Sequence, residues 1–336
     1  MPSLKRIIAL IAILIASAHL SFAQSEQGGT YVRKGSIGEK KEEKPVTNEP
    51  FATLPIEQWL NQRFIFMPRT RQFQKFGYDG FAVVKIDKKG KAKYDLPLAS
   101  QLPYDKYVGR IAKVTAVNKV KPEYSVLERL QIEFTLEDTG EKLIYEASGY
   151  DKTVRGISPV NVLDAARQQY LGKTLWIVDS AVYTYDDATG EKNFVKVRRY
   201  SPVKVTDIVV GTENNAPVRF ILQTEDGKQG YIDVALSGTN AESLELSYHK
   251  FEDELLTEDP RVKYPWGEEV WSLIEQGKVR VGMTAQQVRM SLGEPQKINT
   301  TDTGSEFTEQ WVYGSLRYGN LRFYYFKNGR LTTIQD

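Results

Sequence analysis

The chain has 336 residues, with 45 Lys and Arg against 43 Asp and Glu, two His and no Cys. The absence of Cys excludes disulfides, thiolate metal sites and thiol catalysis. The small formal charge of +2 gives no global attraction to nucleic acid or to anionic lipid, so neither is predicted as a partner.

Residues 1–23 have the composition of a secretory signal peptide. Lys5 and Arg6 form a basic start, residues 7–15 are an uninterrupted apolar run, and residues 21–23 are a small-x-small cleavage site. The alternative is an uncleaved anchor helix, but a membrane span needs about 20 apolar residues. We therefore expect an exported protein without a transmembrane segment in its mature chain, located in the periplasm or at the periphery of the outer membrane.

Residues 24–50 are predicted to be a disordered linker. The segment has few apolar side chains and many charges of both signs, so it cannot bury enough surface to offset the entropy lost on ordering. The alternative is a docking peptide around Tyr31 and Val32.

From residue 51 to residue 253 the chain is predicted to be rich in β-strands. Three stretches are alike, at 58–66, 106–114 and 169–178. Each has an aromatic residue, an aliphatic residue, Gly or Asn, a long polar side chain and then a strand pattern. Gly or Asn at the third place suits a turn that needs a positive φ before the strand begins.

The second and third of these stretches are each followed by a hairpin pattern. We therefore divide the region into three small β-barrel-like units, 51–100, 101–157 and 158–253, which resemble bacterial SH3-like modules. The alternative is that unrelated strands begin within one large β domain. Either division makes the region mainly β.

An acidic segment with prolines, 254–264, is predicted to link the β-rich region to a C-terminal domain at 265–336. Residues 266–274 place apolar side chains on one face with a helical period. A second helix follows, where Thr284 and Gln287 fit a capping box in which each side chain bonds a backbone N–H group at the start of the helix.

After Gly293 the hydrophobic period changes to two, which is typical of β-strands. Residues 307–313 and 321–326 alternate in this way, and Asn328-Gly329 is a type I′ hairpin signal before a last strand. The order of elements predicts an α+β module, in which two helices cover one face of a three- or four-stranded antiparallel meander.

The run VRVGMTAQQVRMSLGEP at 279–295, followed by EQWVYG and a hairpin ending in KNGRLTTIQ, resembles the BamE/SmpA/OmlA family of small envelope proteins. The resemblance covers residues 265–336. It implies the fold of the β-lactamase inhibitor protein, no catalysis, and action through protein–protein contacts at the outer membrane. Family members are usually lipoproteins, but this chain has no Cys to lipidate, so a lipid anchor is not expected.

The residues that match the family motif are assigned to folding rather than to binding, because glycine, proline, a cap and buried apolar groups are what such a helix and sheet require. They are Gly282, Met283, Thr284, Val288, Gly293, Pro295, Trp311 and Tyr313.

The last hairpin is rich in aromatic side chains, of which about half can face the helices because successive side chains alternate. We place Phe323 and Tyr325 inward and Tyr324 and Phe326 outward. The two outward residues and Tyr318 form the predicted interaction surface, since exposed aromatics on a rigid sheet are effective interface anchors. The alternative is that the β-rich region packs on this face.

Few side chains are candidates for catalysis. Once the signal is removed, His249 is the single histidine, and it lies beside an acidic segment, so no triad or His-bearing metal site is predicted. Asp186, Asp187 and Glu225 are carboxylates that could serve glycoside hydrolysis, but the first two fit a hairpin turn. We predict no catalytic residue, no metal site and no cofactor.

One basic cluster surrounds the sequence IDKKGKAKY. Its members are Lys85, Lys88, Lys89, Lys91 and Lys93. We interpret them as the soluble tip of an exposed hairpin, with a glycan- or phosphate-contacting patch as the alternative. The pair Arg198-Arg199 gives a weaker signal of the same kind.

These observations predict an exported, non-enzymatic interaction or scaffold protein of a cell envelope, acting on an unidentified envelope protein through its C-terminal module. The alternative function is binding of cell wall or other glycan by the SH3-like units, with a hydrolase as a third.

Overall fold

The computed structural model describes residues 54–89, 92–93, 101–121, 128–148, 153–185, 192–236, 249–305, 307–314 and 320–335. The predicted signal peptide (1–23) and linker (24–50) lie outside these ranges. The described residues belong to one structural unit, Asn48–Asp336, and are mainly β. Three large antiparallel sheets form, each with a hydrophobic core.

The first β unit (56–159) contains a six-stranded curled sheet in the order β10-β1-β7-β8-β9-β3. Its elements are a 3-10 helix (Ile56–Gln58), β1 (Arg63–Phe66), α1 (Arg71–Gln74), β2 (Tyr78–Asp79), β3 (Phe81–Val83), β4 (Lys85–Ile86), β5 (Ala92–Lys93), β6 (Gln101–Leu102), α2 (Tyr104–Tyr107), β7 (Ile111–Val120), β8 (Arg129–Leu136), β9 (Lys142–Ser148) and β10 (Ile157–Pro159). Alternate side chains of β1 and β8 point into an aromatic core that includes Phe64, Phe66 and Phe134.

The second β unit (160–256) contains a seven-stranded sheet in the order β17-β11-β14-β15-β16-β12-β13. Its elements are α3 (Val160–Tyr170), β11 (Thr174–Ile177), β12 (Ala181–Tyr185), β13 (Lys192–Lys196), β14 (Pro202–Glu213), β15 (Ala216–Thr224), β16 (Gln229–Val234), α4 (Phe251–Glu254) and β17 (Leu255–Leu256). Helix α3 buries Val162, Ala166 and Tyr170, spaced by one helical turn, against the core of this sheet.

The two β units repeat one topology. Strands β10, β1, β7, β8, β9 and β3 match β17, β11, β14, β15, β16 and β12 both in chain order and in their neighbours. The sheet pairing therefore divides this region into two units rather than the predicted three. The stretches 51–100 and 101–157 share one sheet and one core because β1 pairs with β7, with Phe64 opposite Ala112.

The three similar stretches share a backbone arrangement at their third residue. Asn61, Gly109 and Gly172 have φ angles of 69°, 73° and 76°, which confirms the predicted positive φ. The N–H group of this residue and the C=O group of the next one form a pair of hydrogen bonds with one residue of the neighbouring strand. The partners are Val114, Phe66 and Val205. A fourth copy occurs at Tyr200, with a φ of 59° and Ile177 as its partner.

The two units also bend their central strand pair at the same place. The pairing of β7 with β8 shifts register after Val114, and that of β14 with β15 shifts after Val205. The hydroxyl group at each bulge donates to a backbone carbonyl across the pair. Thr115 bonds Glu133 at 3.4 Å and Thr206 bonds Ile221 at 3.2 Å. The two units therefore share a bulge and a side-chain bond as well as a strand order.

The terminal module (260–335) contains three helices and a four-stranded sheet in the order β18-β19-β20-β21. Its elements are α5 (Pro260–Lys263), α6 (Glu268–Glu275), α7 (Ala285–Leu292), β18 (Lys297–Asp302), β19 (Phe307–Tyr313), β20 (Arg322–Lys327) and β21 (Arg330–Gln335). Residues 254–264, predicted as a linker, carry the end of α4, strand β17 and α5. Because β17 pairs with β11, with Leu256 opposite Trp176, part of this segment belongs to the second sheet.

Two local signals in the terminal module are confirmed. Gln287 donates its backbone N–H to the Thr284 hydroxyl at 3.3 Å, and the Thr284 N–H donates to the Gln287 side chain at 2.8 Å, which completes the capping box. Asn328 and Gly329 have φ angles of 49° and 75° between β20 and β21, as a type I′ turn requires. Across the described ranges, the helices are too short or too polar to span a membrane.

Candidate functional site

The register of the terminal sheet decides which aromatic side chains face the helices. Trp311 lies directly opposite Ile298 and Tyr324, and directly opposed residues share one face of a sheet. Trp311 is fully buried with Trp271 of α6, so this face is the inner one. Tyr324 is therefore buried as well, and so is Phe326 two residues further along β20.

The predicted outward orientation of Tyr324 and Phe326 is thus wrong, and Tyr318 lies outside the described residues. Alternation fixed two sets of side chains in β20, but it did not fix which set faces the helices. That choice depends on the pairing of β20 with β19, because Tyr324 lies opposite the buried Trp311 and so faces the same side.

The opposite face of the sheet carries a different set of aromatic and amide side chains. Val312, Phe323 and Gln335 occupy one row across the strands, and Gln310 and Tyr325 occupy the next row on this face. Together with the neighbouring Asn299 we call these residues the amide–aromatic face. Its central members, Gln310, Val312, Phe323 and Tyr325, are half-buried, and Asn299 and Gln335 at the two edges are exposed.

A chain of hydrogen bonds crosses all four strands on the amide–aromatic face. Asn299 Nδ2 donates to Gln310 Oε1 at 2.8 Å, and Gln310 Nε2 donates to Tyr325 Oη at 3.0 Å. The Tyr325 hydroxyl in turn donates to Gln335 Oε1 at 2.9 Å. These bonds hold the side-chain rotamers in place, so the surface is arranged before any partner arrives.

The residues assigned to folding lie in the turns and core beneath this sheet. Met283, Val288 and Trp311 are buried in the core of the terminal module. Gly282 and Gly293 have φ angles of 93° and 84°, in the left-handed region that glycine tolerates.

Two further motif residues contact or follow the end of α7, namely Tyr313 on β19 and Pro295. Tyr313 donates its hydroxyl to the Gly293 carbonyl at 2.8 Å, and burial raises the pKa of Tyr313. Pro295 follows at a half-buried position. Thr284 caps the start of the same helix, as described above.

Sequence reasoning missed a contact that fixes the terminal module to the second β unit. Tyr200, in the turn before β14, is buried between the two and donates its hydroxyl to the Met290 carbonyl of α7 at 3.0 Å. Its ring meets Trp271 edge-on, with centroids 5.9 Å apart. The neighbouring Arg199 donates to the Ser291 carbonyl. The basic pair Arg198-Arg199 thus borders a joint between two parts of the fold.

The candidate catalytic side chains do not form a shared site. His249 Nδ1 lies 3.0 Å from Glu254 Oε1, and burial raises the pKa of Glu254. Glu225 lines a shallow groove elsewhere, next to Asp226, whose pKa is lowered to about 2 by hydrogen bonds from Lys228 and Thr224. An ionised Asp226 is therefore a poor proton donor, so it cannot serve as the general acid in a carboxylate pair with Glu225. Asp186 and Asp187 lie outside the described residues.

The second β unit contains one buried ion pair that the sequence did not reveal. Arg219 forms two hydrogen bonds to Asp233, both 2.7 Å long, and its guanidinium lies 3.7 Å from the centroid of the Tyr231 ring. Because the two buried charges neutralise each other, this pair has little capacity to bind a charged ligand. Among the residues that the structure describes, no group of three or more His, Cys, Asp or Glu could hold a metal ion.

Comparisons of the chain with protein-family models, with curated proteins and with solved structures found no match. The amide–aromatic face therefore stands on its own geometry as the candidate functional site.

Proposed function

We propose that this protein is an exported, non-enzymatic interaction protein of a cell envelope, which docks a partner protein on the amide–aromatic face of its terminal module. The observation that carries the proposal is the hydrogen-bond chain from Asn299 to Gln335, which lies beside Phe323 and Tyr325 on one sheet face. The resemblance of 265–336 to the BamE/SmpA/OmlA family supports the same conclusion, because that family acts through protein contacts.

The chemistry of the face suits a protein partner. Phe323 and Tyr325 offer broad contact area with few rotatable bonds, so little conformational entropy is lost on binding. The amide groups of Gln310 and Gln335 can bond a partner backbone, and their geometry is already fixed.

The rest of the chain would hold this face in a defined position. Tyr200 joins the second β unit to the helices behind the terminal sheet. We further propose that the two β units are SH3-like modules. Their repeated strand order and repeated bulges support this assignment.

Crosslinking in the native cell, followed by mass spectrometry of captured proteins, tests the docking surface. The double variant Phe323→Ala/Tyr325→Ala should lose a partner that the wild-type chain captures. The matched control is Phe194→Ala, which removes a ring exposed at 71 % on edge strand β13 of the second β unit.

Capture that is equal in both variants would exclude the amide–aromatic face. Thermal unfolding of Phe194→Ala should stay close to that of the wild type, because its ring is exposed. The double variant should unfold at a lower temperature, because it removes two half-buried rings and the hydrogen bonds of Tyr325, so capture is compared at a temperature at which both variants are folded.

A second candidate function is binding of cell-wall glycan by the second β unit. The exposed ring of Phe194 lies opposite Tyr183, whose ring carries Lys192 Nζ at 3.7 Å from its centroid. Exposed aromatic rings can stack on sugar faces. Retention on insoluble peptidoglycan that Phe194→Ala abolishes, and that Phe323→Ala/Tyr325→Ala leaves intact, would favour this function over the first.

A further inference from the structure

The connection that follows the first strand differs between the two β units. In the second unit, three residues (178–180) join β11 to β12. In the first unit, 14 residues (67–80) join the matching strands β1 and β3. We call residues 67–80 the inserted loop. Because the repeated topology closes without such a length of chain, the inserted loop is available for a role outside the fold, as surface loops on a rigid scaffold often are.

The base of the inserted loop is fixed to the core of the first unit. Tyr78 is fully buried and donates its hydroxyl to the Met67 carbonyl at 2.7 Å, which ties the two ends of the loop together. The Tyr78 ring meets Phe66 edge-on, with centroids 4.9 Å apart. Within the loop, Gln74 Nε2 donates to the Arg69 carbonyl at 3.0 Å. The loop is therefore held in one shape by bonds at its base and across its middle.

Two phenylalanine rings lie exposed in the middle of the inserted loop. Phe73 is 48 % exposed and Phe76 is 43 % exposed, and their ring centroids are 6.5 Å apart. Single apolar side chains on a surface need no explanation, but two neighbouring rings form a patch that a partner can cover. Phenylalanine has no polar atom in its side chain, so this patch favours an apolar environment over a hydrogen-bonding one.

Positive charge lies close to the two rings. The stretch from 64 to 78 contains no Asp or Glu, and its charged residues are Arg69, Arg71 and Lys75. Arg71 and Lys75 are exposed, and Lys75 Nζ lies 4.8 Å from the centroid of the Phe76 ring. The whole chain has a formal charge of +2, so it is not drawn to anions as a body. Attraction to an anionic surface would act at this loop, within the short range that salt allows.

We infer that the inserted loop is a contact site for a lipid bilayer that carries anionic headgroups. Phe73 and Phe76 enter the boundary between headgroups and acyl chains, while Arg71 and Lys75 pair with headgroup phosphates. A bilayer supplies an apolar layer directly beneath a layer of negative charge, which matches rings and cations exposed side by side. An acidic protein surface supplies the charge but no continuous apolar layer for two rings that lack a polar atom.

This contact is peripheral and reversible, because two rings and a few charges bind a membrane weakly. It does not depend on the amide–aromatic face, which belongs to the terminal module. The two sites are therefore tested by separate variants.

Co-sedimentation with lipid vesicles tests the inserted loop. The chain is used without residues 1–23, because their apolar run would itself enter a bilayer. This leaves the structural unit Asn48–Asp336 intact. The protein should bind vesicles of equal parts phosphatidylserine and phosphatidylcholine, and should bind vesicles of phosphatidylcholine alone about tenfold more weakly. Added salt should release it from the anionic vesicles.

Two variants separate the apolar contact from the charge. Phe73→Ala/Phe76→Ala should weaken binding to the anionic vesicles about tenfold or more, because the exposed apolar area is lost. Lys75→Glu should weaken it about tenfold, because an attractive charge becomes a repulsive one. The matched controls are Phe194→Ala and Lys196→Glu, which change an exposed ring and an exposed lysine on β13 of the second unit. Both controls should bind like the wild type.

Thermal unfolding should place all four variants close to the wild type, since the altered side chains are exposed. If the double phenylalanine variant does not fold, Lys75→Glu decides.

Equal binding to anionic and neutral vesicles, or unchanged binding in either folded variant, overturns the proposal. Equal losses in the controls would show a general effect of surface charge and apolar area, and would also overturn it. Retention on immobilised polyglutamate without binding to vesicles would assign the inserted loop to an acidic protein surface and would overturn it as well.

Discussion

Tyr200 stands in the second β unit at the position that Gly109 holds in the first. Both residues have a positive φ, 59° and 73°, and both donate their N–H to the strand that precedes them in the sheet, at Ile177 and Phe66. A bulky side chain in this conformation costs about 1–2 kcal/mol relative to glycine. Tyrosine is tolerated here because its ring and hydroxyl join the core of the terminal module.

This relationship predicts an inverted order of stability for two substitutions. Tyr200→Ala should lower the free energy of unfolding by about 3–5 kcal/mol, because a buried aromatic is lost. Tyr200→Gly should be less damaging than Tyr200→Ala by about 1 kcal/mol, since glycine relieves the positive φ. Urea unfolding measures the free energy of unfolding of both variants. If Tyr200→Gly were less stable than Tyr200→Ala, the positive φ of Tyr200 would not be a source of strain.

A control for that comparison is Gly109→Ala. A Cβ at Gly109 would meet nothing within 4 Å, so the substitution changes only the backbone preference. It should cost about 1 kcal/mol in the same urea experiment.

Trp311 provides a test of the terminal core. Trp311→Ala should destabilise the fold by about 3–5 kcal/mol, because a fully buried indole leaves a cavity. Trp311→Phe should cost less, since it keeps most of the packing and removes an indole N–H that has no hydrogen-bond partner among the described residues. Thermal unfolding that is unchanged in Trp311→Ala would reject the role in folding.

The capping box of α7 predicts a smaller and separable effect. Thr284→Ala should lower the free energy of unfolding by about 1 kcal/mol, because the N–H of Gln287 loses its acceptor. Thr284→Ser retains the hydroxyl and should stay near the wild type. Denaturant unfolding distinguishes the two, and equal loss in both would show that the methyl group rather than the bond matters.

Glu254 predicts a pH dependence of stability. Burial raises the pKa of Glu254 above its ordinary value, although the contact with His249 opposes this shift. Its favourable contribution is therefore complete below the ordinary pKa of glutamate and is lost as the pH rises through the raised value. Glu254→Gln should thus gain stability relative to the wild type between acidic and neutral pH.

Thermal unfolding from pH 4 to pH 8 checks this expectation. Glu252→Gln is the control, because it removes an exposed carboxylate from the same helix and leaves Glu254 in place, so the pH dependence due to Glu254 should remain. A curve for Glu254→Gln that is parallel to the wild type would contradict the prediction.

Features set by neighbouring residues could be predicted from the sequence. The capping box depends on Thr284 and Gln287, and the hairpin depends on Asn328-Gly329, so each is specified within a few positions. The positive φ of Asn61 and of its two counterparts follows from residue type in the same way.

Features set by long-range pairing could not be predicted. Strands β1 and β7 pair in one sheet although their residues are about fifty positions apart, and local sequence patterns do not indicate this pairing. The faces of Tyr324 and Phe326 depend on register with β19 rather than on alternation within β20. Tyr200 meets Met290 ninety positions away. The sequence signal for this contact was Tyr200 itself, because the three related turns have asparagine or glycine at the same position.

The three side-chain hydrogen bonds that link the amide–aromatic face run in one direction, from Asn299 on β18 to Gln335 on β21. Their dipoles therefore add rather than cancel, with the first donor at Asn299 and the last acceptor at Gln335. A polar molecule lying across the strands would meet unlike ends, and would settle in one orientation instead of two.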